Sequence, residues 1–91
     1  MLIMIKYGPD NAGEKSKLEH ARPGDEIVLI QDGVYWATTK DIEGYLKDDI
    51  KVHALVCDCE ARGYDEVSLG IPIINYDGFI DIVERQEKSI S

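Results

Sequence analysis

Four short aliphatic runs constrain this chain more than any other feature. They are Leu2–Tyr7, Glu26–Gln31, Ile50–Leu55 and Ile71–Tyr76, each about six residues long and rich in Ile, Val or Leu. Runs this continuous suit parallel strands covered on both faces. Helical signals lie between them. Asn11 is placed to cap a first helix, with Glu14 at the capping-box position. That helix is expected to run to about His20, before Pro23-Gly24. Ile42, Tyr45 and Leu46 give an i, i+3, i+4 stripe for a second helix near Thr39–Asp48. A third, about Cys57–Arg62, should stop at Gly63, a natural left-handed residue. Asp77 is expected to cap the last helix, with Phe79, Ile80 and Val83 facing inward. Residues 86–91 read as a loose tail.

Alternating strands and helices with short connections predict an α/β fold. The expected architecture is a mainly parallel sheet of four or five strands with helices on both faces, in one small domain over residues 1–91. Such a domain buries only ~60–65% of the surface its unfolded chain exposes, so a partner surface would add to a thin stability margin.

Charge narrows the function. Eighteen acidic residues face ten basic ones, for a formal net charge of −8. Nucleic-acid binding needs clustered Lys and Arg, and none are clustered here, so no direct nucleic-acid contact is expected. Attraction to an anionic membrane is disfavoured on the same ground. No run approaches the ~20 apolar residues of a membrane span. The opening Met1–Ile5 is short for a signal segment and ends at Lys6 without a cleavage site. Two cysteines two positions apart do not staple a fold, and they point to a reducing, cytoplasmic setting.

The exit of the second strand reads Ile27-Val28-Leu29-Ile30-Gln31-Asp32-Gly33-Val34. A second block follows, Lys51-Val52-His53-Ala54-Leu55, then a short acidic helix and Ala61-Arg62-Gly63. A third is an Ile-rich strand, Tyr76, then Gly78-Phe79-Ile80. In this order the blocks resemble the DsrH/TusB family of the DsrE-like superfamily, over nearly the whole chain. The resemblance implies a DsrE/flavodoxin-like fold and a subunit of a persulfide relay, in a complex with DsrE/TusD-like and DsrF/TusC-like chains. In bacterial 2-thiouridine synthesis that relay passes sulfur toward the wobble uridine of tRNA; a related complex serves sulfur oxidation. Some lone members are expected to be homodimers. No cofactor is implied.

Candidate chemistry centres on Cys57 and Cys59, which follow the third strand. A helix N-terminus favours a thiolate, whereas Asp58 and Glu60 oppose one. In DsrE/TusD relatives the sulfur-bearing cysteine lies near this junction, ahead of an Arg-Gly. Anchored on Arg62-Gly63, that position here is Leu55, and Cys57 comes two residues later. Cys57 is thus a possible sulfur carrier, but an accessory, non-catalytic or weakly catalytic role fits better. A stand-alone homodimeric binding module is the remaining reading.

Asp32 and Gly33 sit where a strand ends, the edge at which open α/β sheets form sites. They read as a turn, with Gly33 free to take positive φ and Asp32 bonding its own turn. Tyr35 and Trp36 serve either the core or an interface. His53 with Cys57 and Cys59, joined by His20 or Asp58, would make a weak mixed-ligand set, so no metal is expected. Gly8–Ser16 nearly matches a phosphate-binding loop, but Glu14 falls between Gly13 and Lys15. Gly8-Pro9 is better read as a turn. His20 and Arg22 complement the first helix's dipole.

Overall fold

The computed structural model describes residues 1–45, 49–64, 71–86 and 88–90. Five strands form one parallel sheet in the order β4-β3-β2-β1-β5. They are β1 (Leu2–Ile5), β2 (Glu26–Leu29), β3 (Lys51–Leu55), β4 (Ile73–Ile74) and β5 (Ser89–Ile90). Each is the centre or end of an expected aliphatic run, except β5. Ser89 and Ile90 pair with Leu2 and Ile3, which corrects the expectation of a loose tail for that stretch. The order accounts for where the helices lie. From β1 to β4 the chain steps always in one direction, so right-handed crossovers put every connection on one face. The return from β4 to β5 runs the other way and puts its helix on the opposite face.

The first face carries α1 (Ala12–Glu19), two 3₁₀ helices (Gln31–Thr38 and Lys40–Tyr45) and α2 (Val56–Ala61). Register aligns Ile3, Ile27 and Val52 in one row and Ile5, Leu29 and Ala54 in the next. Leu18, Val34, Trp36 and Cys59 pack on them. Among the described residues the second face carries one helix, α3 (Tyr76–Arg85), whose Ile82 closes over Leu2 and Val28.

Three helical expectations need correction. Helix enters directly after β2, at Gln31, where a turn was expected. Burial from Gly33 to Thr38 repeats as two buried residues and one exposed, and a period of three belongs to the 3₁₀ helix, not the α-helix. Thr38 and Thr39 end it, their hydroxyls donating to the carbonyls of Tyr35 (2.7 Å) and Trp36 (2.9 Å). The Ile42–Tyr45 part of the expected second helix is the second 3₁₀ segment; Leu46–Asp48 lie outside the described residues. At α3 the cap is Asn75, whose side-chain oxygen accepts from the Gly78 N–H at 2.8 Å. Asp77 lies inside the first turn instead, and Val83 points outward.

Asn11 caps α1 as expected, accepting from the Glu14 N–H at 3.1 Å, and Gly63 follows α2 with φ +76°.

Candidate functional site

The C-terminal edge of the sheet is built from four chain segments. Gly8 to Asn11 make a β-turn after β1, closed by the Asn11 N–H on the Gly8 carbonyl at 3.1 Å. The 3₁₀ helix leaves β2, α2 leaves β3, and Arg62 to Tyr64 follow α2.

Gln31 makes the bend out of β2 in the left-handed region, at φ +50°, a conformation that costs a non-glycine residue ~1–2 kcal/mol. The Asp58 carboxylate of α2 holds it there, Oδ2 accepting the Gln31 N–H at 2.8 Å. Gly33 is not in positive φ, so the reason expected for it was wrong. A Cβ on Gly33 would sit 1.9 Å from the Ile5 carbonyl oxygen. The glycine is needed because the 3₁₀ helix presses against the end of β1.

Asp32 does not bond its own turn. Its Oδ1 accepts from Arg62, Nη2 at 2.8 Å and Nε at 3.2 Å. Arg62 Nη1 also donates to the Asp58 carbonyl at 3.1 Å. One guanidinium therefore ties the exit of β2 to α2, and nothing in the local sequence around Asp32 signalled this partner. Beside it lies a cleft of about 460 Å³, lined by Gly8, Asp10, Asp32, Tyr35, Arg62 and Tyr64. A second cleft, about 480 Å³ with Pro23, Asp49 and Lys51, opens at the N-terminal edge of β2 and β3, where open α/β sheets do not place sites.

The aromatic pair divides its labour. Trp36 is wholly buried, donates Nε1 to the Tyr7 carbonyl at 3.0 Å and packs edge-on against Tyr45 at 5.8 Å. Tyr35 is half exposed on the cleft wall.

Glu14 explains why the first loop is not a phosphate cradle. Its carboxylate is buried and accepts the N–H groups of Lys6 (2.6 Å) and Tyr7 (3.1 Å), with Lys17 Nζ 2.7 Å away. The donors an anion would use already have a built-in one. Burial raises the Glu14 pKa, but Lys17 and the two N–H groups outweigh it and the net shift is downward. Glu14 therefore reaches past Asn11's own N–H, where a capping box would have put it.

The two cysteines differ. Cys57 is exposed; Cys59 is fully buried against the core. Burial first, then the Asp58 carboxylate, pushes the Cys59 thiol up. His53 lies on the opposite face, in the row of Met4 and Val28, and burial lowers its pKa. His53 and Cys59 thus flank the sheet from opposite sides. Among the described residues no three His, Cys, Asp or Glu side chains converge as metal ligands. No helix among them is long and apolar enough to cross a membrane.

A family profile described as "DsrH like protein" matches residues 11–89. The chain belongs to the DsrH family. Relatives named Protein TusB match end to end: 31% identity for that of Serratia proteamaculans and 33% for that of an Enterobacter species, each over 100% of this chain and 99% of the relative. The solution structure of Tm0979 from Thermotoga maritima superposes with a TM-score of 0.75, at 42% identity and with both chains fully covered. A second structure of that protein, titled as a proposed sulfur transferase, gives 0.71 at 43% identity, covering 98% of this chain and 97% of that one. The DsrH family membership and the parallel α/β sheet expected from the sequence stand together.

Proposed function

We propose that this chain is a non-catalytic or weakly catalytic relay subunit, working in the cytoplasm as one DsrH-like domain. It would assemble with DsrE/TusD-like and DsrF/TusC-like chains and shape the complex in which a partner bears the persulfide, in the manner of the TusB component of wobble-uridine 2-thiolation. The observation that carries this reading is the end-to-end likeness to the TusB relatives. The site supports it. The position where a sulfur-bearing thiol is expected holds Leu55, which is buried, and Cys59 is sealed in the core.

Co-expression with DsrE/TusD-like and DsrF/TusC-like subunits, followed by sizing, tests it. A complex containing this chain is expected, with labelled sulfur from a cysteine desulfurase on a partner. A chain that joins neither subunit overturns the reading.

The exposure of Cys57 supports a second reading, a persulfide carrier. There the Cys57 thiolate attacks the outer sulfur of a donor persulfide, takes that sulfur and releases the donor thiolate. Label on this chain that Cys57→Ser abolishes would favour it over the first.

A further inference from the structure

Among the described residues the second face of the sheet is under-covered. Five strands at ~4.8 Å spacing span about 19 Å, whereas a helix with its side chains is ~10–12 Å across. Among the described residues α3 is the only helix on that face, and Met4, Ile30 and Ile74 beside it stay only half-buried.

The helix itself uses part of its apolar surface inward and leaves part outside. Ile82 is buried and Phe79 half-buried toward the sheet. Tyr76 is 61% and Val83 42% exposed, and Ile80 lies half-buried between them. These three sit at i, i+4 and i+7, one continuous stripe. Asp77, Asp81 and Glu84, all exposed, repeat the same spacing one residue on and form an acidic stripe alongside.

We infer that this double stripe on α3 is a docking surface for a protein partner that offers an apolar groove with Lys or Arg along one rim. The inference rests on the relay-subunit reading and names the surface through which that assembly forms. Anchors at i, i+4 and i+7 are the pattern by which a helix enters a groove. The acidic stripe fixes the charge of the rim. A second copy fits less well: a two-fold contact brings each patch against itself, and here that gathers two acidic stripes from chains already at a formal −8.

The test uses the full chain and the DsrE/TusD-like and DsrF/TusC-like subunits of its own genome. Affinity is measured for wild type, for Tyr76→Ser with Val83→Ser, for Asp81→Lys with Glu84→Lys, and for Ser16→Lys, exposed on α1 on the other face of the sheet, as a control. Both double variants are expected to bind about tenfold or more weakly, the loss of two interface anchors, with thermal melting close to wild type. Ser16→Lys should bind as wild type, and added salt should weaken the wild-type complex. Should the apolar variant prove unfolded, the solvent-facing charge variant alone decides. Full binding by both double variants overturns the docking surface and leaves the relay reading standing. A wild-type chain that binds neither subunit overturns the relay reading itself. A wild-type chain that dimerises alone, through Tyr76 and Val83, overturns the inference by making the occupant a second copy.

Discussion

The Arg85 guanidinium lies across the Glu26 carboxylate, Nε to Oε1 at 2.7 Å and Nη2 to Oε2 at 2.6 Å, so that the last helix is tied to the first residue of β2. Gln86 adds a third donor, Nε2 to Oε1 at 2.9 Å. Fifty-nine residues separate the charged pair, and it holds α3 at the N-terminal edge of the sheet while Ile82 holds it at the centre.

Arg85, against the opposing effect of burial, brings the Glu26 pKa from 4.5 to about 2. A depressed carboxylate adds stability that is complete above the unfolded value and is lost as pH falls through the folded one. Unfolding free energy should therefore decline between 4.5 and about 2. The Glu26 share is on the order of 2 kcal/mol once screening at the half-exposed guanidinium is allowed for. Urea melts at stepped pH measure this. Arg85→Gln should flatten the decline, and an unchanged slope would show that Glu26 is not its source.

Glu14 should be costlier to remove than a surface glutamate. Glu14→Ala strips the Lys6 and Tyr7 N–H groups of their acceptor and is expected to lose about 2–4 kcal/mol; Glu14→Gln, which keeps an acceptor oxygen, should lose less. Its lowered pKa adds to the same acid-side loss. Equal melting temperatures for wild type and Glu14→Ala would contradict the bonding described.

Two glycines make a contrast. At Gly33 an added Cβ meets the Ile5 carbonyl at 1.9 Å, so Gly33→Ala must push the 3₁₀ helix off β1, at a cost of about 2–3 kcal/mol or more. At Gly44 a Cβ meets nothing within 4 Å, and Gly44→Ala should be neutral or stabilising by up to ~1 kcal/mol. Chemical denaturation of both variants reads the difference directly.

Thiol reagents should find one cysteine at a time. In native buffer Cys57 is expected to react at once and Cys59 only through opening of the fold, so one equivalent titrates rapidly and the second appears in denaturant. Rapid labelling of both thiols in the native protein would refute the burial of Cys59.

Much of this could be read along the chain. β1 to β4 were legible because each belongs to an aliphatic run with punctuation beside it, and α1 because Asn11 meets its own N–H donor three residues on. The 3₁₀ helix after β2 was legible in principle: the apolar residues Val34, Trp36 and Ala37 fall on a period of three once Gly33 is counted as buried. A period-of-3.6 search passes over it. The clamp at Asp32 was not legible, because Arg62 is thirty residues away and nothing near either residue marks the other. The same holds for Glu14, whose spacing from Asn11 suggested a capping box.

The sequence by itself determined the first four strand-forming segments, the parallel α/β class and the resemblance to the DsrH family, because these depend on local propensity and pattern, which a short window contains. Only the tertiary structure decided that Gly33 is there for close approach, that Trp36 belongs to the core, that Cys59 is sealed while Cys57 is open, and that Ser89–Ile90 close the edge of the sheet. It also decided that, among the described residues, α3 is the one helix on a face wider than it. Each of these depends on which distant groups meet across a sheet whose strand order no local window encodes.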